Sequence, residues 1–279
     1  MQLRFSLCFT LVLFLVLMIT VQPSRTNADP DIVTVSQFVE EFGEQLQFVS
    51  LLASPEILAE TMEEYYADYV HPQLIAQWLA DPLHALGRLT SSPWPVKIDV
   101  NKVLVKDSGD YQVFGQIVEV SSADAAEKAA HVQPLVLTVS QRDGHWQIIE
   151  ANIVYTNEYY GFDFVLPLSW EGYTVVVEQW EGYGKTTAFG PIIMLRHPHW
   201  TEKVPRQDIP ILVLTLEQWE SMQQEQFHIG AAPINPSELG RNNRYVFALP
   251  ARYNFSFLEG YEEVDTILAK QPLVPFVNE

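Results

Sequence analysis

The residues whose types and spacing could best bind a metal ion are two histidines in the segment Arg196-His197-Pro198-His199-Trp200. His197 and His199 are two positions apart, and on an extended backbone such residues project to the same side, as two imidazole ligands of one zinc or copper ion would. The third ligand would have to come from one of three residues further along the chain: Glu202, Asp208 or His228. This pattern predicts a metal-dependent hydrolase that uses His197 and His199.

A second interpretation of the same histidines is structural. They could end a strand and hydrogen-bond to the backbone, while Pro198 forces the chain to turn. We favour this interpretation, because the chain has neither a helical His-Glu-x-x-His motif nor the cysteine pairs that mark most zinc sites. The sequence therefore predicts no bound metal and no cofactor.

Charged and aromatic residues around the histidines suggest a surface that contacts another molecule. Arg196 and Arg206 lie in an acidic half of the chain, where an arginine pairs with a carboxylate or, less often, binds an anionic ligand; we expect Asp208 to pair with Arg206. Trp200 and Tyr183 are expected in loops, where an exposed ring can stack on a sugar or anchor a partner protein. The predicted ligand-binding residues are Arg196, His197, His199, Trp200, Arg206, Asp208 and His228.

Other segments that resemble catalytic motifs are incomplete. Asp107-Ser108-Gly109 has the letters of an aspartic-protease loop, but the segment is typical of a hairpin turn and has no second copy. The stretch from Gly182 to Thr186 lacks the first glycine of a phosphate-binding loop, and no Gly-x-Ser-x-Gly occurs anywhere. The sequence therefore predicts no catalytic residue.

Charge and cysteine content exclude further classes. The chain holds 35 acidic and 16 basic residues, a formal net charge of −19. Such a surface repels phosphate backbones and anionic lipids, so we expect no nucleic-acid partner. Cys8 is the only cysteine and lies in the N-terminal segment described next, so we expect neither disulfides nor thiol chemistry in the folded protein.

The N-terminal segment has the layout of a secretory leader. Arg4 precedes a run of 17 uncharged residues from Phe5 to Val21, and small residues follow before Asp29. Cleavage after Ala28 would remove two arginines and no acid, which leaves a net charge of −21. We expect residues 1–28 to be this leader. An uncleaved leader that anchors the chain in a membrane is the alternative, and both place the bulk of the chain outside the cytoplasm.

Periodicity in the first half predicts helices followed by strands. Apolar residues at helical spacing predict a helix over 34–53, which Thr34 and Gln37 could cap; Ser54-Pro55 starts a second helix, and a third covers 73–79. Alternation then predicts four strands: 96–106, 110–121, 131–142 and 144–155. Asp107-Ser108-Gly109-Asp110 and Arg142-Asp143-Gly144 predict tight hairpin turns between them. Strict alternation puts Glu150 and Asn152 on one face of the last strand and His145 and Gln147 on the other, and it leaves open which face is concave.

This order of elements, which closes with Gly144-His145-Trp146-Gln147-Ile148-Ile149, resembles the nuclear-transport-factor-like cone over residues 31–156. In that superfamily a curved antiparallel sheet wraps around helices. Its members hold small ligands in the cone or use it to dimerise and to pair with partners. The resemblance therefore implies a ligand site or a homodimer through this domain.

The stretch from Tyr160 to Trp170 alternates like a strand and ends in Leu-Pro-x-x-Trp, which indicates the start of a second domain over 157–279. The stretch is similar to the first hairpin of the PsbP-like sandwich, and "RHPHWTEKVPRQDIPILVLTLEQW" resembles a set of exported proteins of Gram-positive bacteria without an assigned function. After Trp170 we expect strands at 173–180, 191–196, 209–216 and 244–249 and helices at 217–226 and 261–270.

The sequence as a whole predicts an exported α+β protein of two domains. The first is a cone of helices followed by an antiparallel sheet, and the second is an α/β sandwich with a mostly antiparallel sheet. The expected function is non-catalytic binding of a partner protein or a small ligand in the cell envelope or the extracellular space.

Overall fold

A computed structural model describes residues 30–122, 131–230 and 234–277. The predicted leader lies outside these residues. Within them the chain forms five α-helices and twelve β-strands, and every ladder between strands is antiparallel. The helices are α1 (Pro30–Gln45), α2 (Pro55–Tyr66), α3 (Pro72–Ala80), α4 (Leu216–Gln223) and α5 (Tyr261–Ala269).

Local signals set the beginnings of α2 and α3. The Ser54 side chain accepts a hydrogen bond from the Ile57 N–H, and the His71 ring accepts one from the Gln73 N–H, with proline as the first residue of each helix. The predicted start of α2 is confirmed. The prediction for α1 is wrong at both ends, because apolar spacing continues upstream of Thr34 and a short 3₁₀ helix, Leu46–Phe48, replaces the last turn.

Six strands in the order β1-β2-β3-β4-β5-β12 form the first sheet. They are β1 (Trp94–Val105), β2 (Tyr111–Val120), β3 (His131–Arg142), β4 (His145–Asn157), β5 (Phe162–Pro167) and β12 (Leu273–Pro275). The four predicted strands and their hairpin turns are confirmed. Asp143 and Gly144, at φ 52° and 81°, form the tight turn between β3 and β4, because this pair of residues tolerates positive φ.

The first sheet continues past residue 156. β4 pairs with β5 from Asn152 opposite Pro167 to Asn157 opposite Phe162, and β12 pairs with the other edge of β5. The Leu-Pro-x-x-Trp motif ends β5 and forms a short 3₁₀ helix, Leu168–Trp170, in which Trp170 is buried. The first sheet thus contains strands from both sides of the predicted boundary between residues 156 and 157.

The second sheet has the order β10-β11-β8-β7-β6-β9. Its strands are β6 (Thr174–Gly184), β7 (Ala188–Arg196), β8 (Ile209–Thr215), β9 (Phe227–Ile229), β10 (Ser237–Arg241) and β11 (Tyr245–Leu249). Thr215 and Gln218 form a capping box at the start of α4. Sequence periodicity missed β9, β10 and β12, because a strand of three to five residues is too short to show alternation.

One apolar core joins the two sheets. Helices α1 to α3 cover part of the first sheet, and residues of the second sheet pack into the same cluster; the Phe162 and Phe247 rings, one from each sheet, lie 4.6 Å apart. Successive residues of β8 alternate between this core and a smaller cluster that α4 covers. Gly43 lets α1 lie directly on β1, because a Cβ atom there would come 2.3 Å from the Ile98 nitrogen.

The predicted α+β class is confirmed in its coarse form, as five helices and two antiparallel sheets in the described chain. No helix within the described residues is both long and apolar enough to cross a membrane.

Candidate functional site

His197 is a buried, structural histidine. Its side chain lies edge-on to the Trp170 ring at 5.1 Å, the residue is 5% exposed, and its Nδ1 accepts a hydrogen bond from the His199 N–H at 3.0 Å. Burial lowers the pKa of His197, and the positive charge of Arg206 lowers it further. The interpretation that this histidine hydrogen-bonds to the backbone is therefore confirmed.

The structure does not bring His228 to the other two histidines. Thr174, at one end of β6, pairs with Arg196, whereas Tyr183, near the other end, pairs with His228. Nine residues of extended chain separate these positions, about 30 Å at the usual rise per residue. In the part of the chain that the structure describes, no three His, Cys, Asp or Glu residues come close enough to hold a metal ion.

Arg196 is held on two sides by its own loop. Its guanidinium donates hydrogen bonds to both carboxylate oxygens of Asp208, the shortest at 2.8 Å, and lies 4.0 Å from the centroid of the Trp200 ring. The predicted pairing of Asp208 with Arg206 is wrong. The register that pairs Leu195 with Ile209 puts Arg196, not Arg206, opposite Asp208.

Arg206 instead connects the loop to α5. Its guanidinium forms ion pairs with Glu259 at 2.6 Å and with Glu263 at 3.4 Å, and its Nε is buried without an acceptor. Glu263 also accepts hydrogen bonds from the Ser169 hydroxyl at 2.9 Å and the Trp170 indole at 3.2 Å. Glu263 thus joins the turn after β5, the loop before β8 and α5.

Most charged and polar side chains of the predicted contact surface therefore already bind other residues of the protein. Trp200 lies in a loop as predicted and is half-buried, and His199 is exposed. Tyr183 lies in β6 rather than in a loop, and its ring is exposed. Recognition of a partner through this surface stays a prediction.

A groove opens in the first sheet where β4 changes neighbours. Ile148 forms a bridge with Val70, which lies between α2 and α3, and the pairing with β5 begins only at Asn152, opposite Pro167. Proline has no N–H group, so the β4–β5 ladder ends there. Among the described strands, none covers this edge of β4 between Ile148 and Asn152.

A β-bulge in the same stretch changes the direction of the side chains. The register of β4 against β3 shifts between Ile148 and Glu150, which leaves Ile149 as an extra residue. The core positions of β4 are consequently even-numbered before the bulge and odd-numbered after it: Trp146 and Ile148, then Ala151, Ile153 and Tyr155.

The bulge corrects one expectation from the sequence. Strict alternation puts Glu150 and Asn152 on the face opposite to His145 and Gln147, and this is wrong because the extra residue reverses the alternation. All four residues occupy positions on the face turned away from the core. Glu150 and Asn152 line the groove.

Two adjoining cavities make up the groove, with volumes of about 280 and 380 Å³. They share a wall that consists of Glu150, Asn152, Pro167 and Lys270. The smaller cavity lies beneath α5, and its other lining residues are Lys106, Gln112, Val165, Glu263, Thr266, Ile267 and Pro272. The larger cavity lies beside α3, and its other lining residues are His71, Gln73, Leu74, Gln77, Arg142, Ile149 and Ala151.

Both carboxylates of the groove are held by neighbouring groups. Glu150 accepts a hydrogen bond from the Lys270 ammonium at 2.8 Å, across the junction of the two cavities. Glu263 is held by Arg206, Ser169 and Trp170 as described above. Because Glu150 and Lys270 are 120 positions apart, no sequence pattern predicts their contact.

Replacing Arg206 tests whether the loop residues are structural. We expect Arg206→Ala to lower the free energy of unfolding by about 2 kcal/mol, because it leaves Glu263 partly buried without its cation. Urea unfolding followed by tryptophan fluorescence measures the change. Lys203→Ala, at an exposed position of the same loop, is the matched control and should change stability by less than about 0.5 kcal/mol. Equal stability of the two variants would contradict the structural role.

The lowered pKa of His197 predicts a pH dependence of stability. In the unfolded chain a histidine has a pKa of about 6.5. Below that pH the unfolded state takes up the proton more readily than the folded state, so the free energy of unfolding falls as the pH falls.

His197→Asn keeps a side-chain acceptor for the His199 N–H but does not titrate. We expect this variant to lose less stability than the wild type between about pH 7 and pH 5, as measured by urea unfolding at each pH. His228→Asn, at an exposed position outside these contacts, is the control. If His197→Asn loses as much stability between these pH values as the wild type does, His197 is not the source of this pH dependence.

No protein-family model, no curated protein and no solved structure matches the chain. The nuclear-transport-factor-like and PsbP-like resemblances therefore stay predictions.

Proposed function

We propose that the chain is an exported, non-catalytic binding protein whose small ligand occupies the groove at β4. The observation that carries the proposal is the pair of adjoining cavities at the gap between Ile148 and Asn152. Small-molecule sites typically measure about 300–1,000 Å³ and combine an apolar wall with a few polar groups.

The polar groups of the groove favour binding over catalysis. A general base needs a carboxylate or imidazole free to take a proton from the substrate. Glu150 and Glu263, the two carboxylates of the groove, are held by ion pairs, and the Nδ1 of His71 already accepts the Gln73 N–H. These groups can donate and accept hydrogen bonds with a ligand, but each carboxylate already has a cationic partner.

The proposal extends to the finer architecture and to the location. Helices α1 to α3 followed by β1 to β4 support a cone-like first unit, and the second sheet with α4 supports a sandwich-like second unit. A homodimer through the first unit belongs to the same proposal. The leader-like segment 1–28 and the strongly acidic composition support a location in the cell envelope or outside the cell.

Blocking the smaller cavity tests the ligand site. The probe is N-phenyl-1-naphthylamine, a neutral molecule that fluoresces in apolar surroundings. We expect the wild type to bind it, and Thr266→Trp to weaken binding at least about tenfold, because the indole fills the mouth of the cavity. Fluorescence titration measures both affinities.

Ala269→Trp is the matched control for this experiment. It places the same indole at another exposed position of α5, outside both cavities, and should bind the probe as the wild type does. No binding to the wild type, or equal binding to Thr266→Trp and Ala269→Trp, would overturn the groove as the ligand site.

Export has a separate test. When a Gram-positive host produces the full chain, we expect the secreted protein to begin at Asp29, as measured by intact-mass spectrometry. A full-length chain in the membrane fraction would favour the anchored alternative. A full-length chain in the cytoplasm would contradict export.

A further inference from the structure

The two cavities of the groove differ in chemistry. The smaller one has an apolar wall formed by Val165, Ile267 and Pro272, all of which are buried. The larger one presents the polar side chains of His71, Gln73, Gln77 and Arg142. A ligand that fills both must combine an apolar body with a polar group.

The charge of the groove is positive, although the chain is strongly acidic. Its lining holds three cations, Lys106, Arg142 and Lys270, against the two carboxylates of Glu150 and Glu263. Glu150 pairs with Lys270, and Glu263 shares Arg206 with Glu259. Within the described residues, no carboxylate oxygen lies within 4.0 Å of the charged nitrogens of Lys106 or Arg142. Each cavity therefore has one cation without an ionic partner.

Hydrogen-bond donors predominate in the larger cavity. The Nδ1 of His71 accepts the Gln73 N–H, so a neutral ring carries its hydrogen on Nε2, where it is a donor. Arg142 adds a guanidinium, which binds a carboxylate or sulfonate through two parallel hydrogen bonds, and Gln73 and Gln77 add amide N–H groups.

On the basis of the ligand-binding function proposed above, we infer that the groove binds an amphipathic organic anion. The apolar body of the ligand lies beneath α5, against Val165 and Ile267, and its acid group lies at Arg142. The order of the two cavities fixes this orientation, because the apolar wall and the donors are on opposite sides of the Glu150–Lys270 pair. Lys106 is a second cation, at the apolar end.

Two probes of nearly the same shape test this inference. 1-Anilinonaphthalene-8-sulfonate is N-phenyl-1-naphthylamine with an added sulfonate, so the difference between their affinities isolates the anionic group. We expect the wild type to bind the anion at least about tenfold more tightly than the neutral probe. Arg142→Gln should weaken binding of the anion about tenfold and leave the neutral probe unchanged. Arg142→Lys keeps the charge but loses the two parallel hydrogen bonds, so it should weaken binding of the anion less than Arg142→Gln does.

The control is Lys185→Gln, which removes an exposed cation outside the groove and should change neither affinity. Circular dichroism establishes that each variant is folded. Equal affinities of the wild type for the two probes, or unchanged binding of the anion to Arg142→Gln, would overturn the inference while the ligand site stands. If Thr266→Trp leaves both probes bound as in the wild type, the proposed site itself fails and the inference fails with it.

Discussion

The ladder between β4 and β5 is the constraint on which the rest of the structure depends. It runs from Asn152 opposite Pro167 to Asn157 opposite Phe162, and it carries the first sheet into the segment that leads to the second. Phe162 packs against Phe247 of the second sheet, so the same strand pair brings the two sheets into one core. Its end at Pro167 opens the groove. One set of backbone hydrogen bonds thus determines both how the sheets pack and where the candidate site lies.

Helix α5 connects this core to the groove. Val264 is buried in the main core, Ile267 borders both that core and the smaller cavity, and Thr266 and Lys270 line the cavities beside it. Glu263 fixes the position of the helix, since it accepts hydrogen bonds from Trp170, Ser169 and Arg206. The Arg-His-Pro-His-Trp segment is therefore a neighbour of α5. His197 packs against Trp170, and Arg206, later in the same loop, forms an ion pair with Glu263 of the helix.

The sequence predicted those helix starts, turns and strand ends that depend on a few neighbouring residues. Ser54-Pro55 starts α2, Asp143-Gly144 turns β3 into β4, and Leu-Pro-x-x-Trp ends β5, because caps, tight turns and proline act within a few residues. It missed the groove, which depends on two features without a local signal. The extra residue Ile149 reverses the alternation of β4 without changing its composition, and Lys270 reaches Glu150 from 120 positions away. The same limit explains the wrong partner for Arg206, since Glu259 is 53 positions away.

The pairing of β5 with β12 has a consequence for how the chain folds. Phe164 of β5 lies opposite Leu273 of β12, and the whole second sheet is encoded between them. The first sheet therefore cannot be completed until the ribosome has made that entire segment, and closure of so long a loop is entropically slow. Until then, the edge of β5 that pairs with β12 stays open.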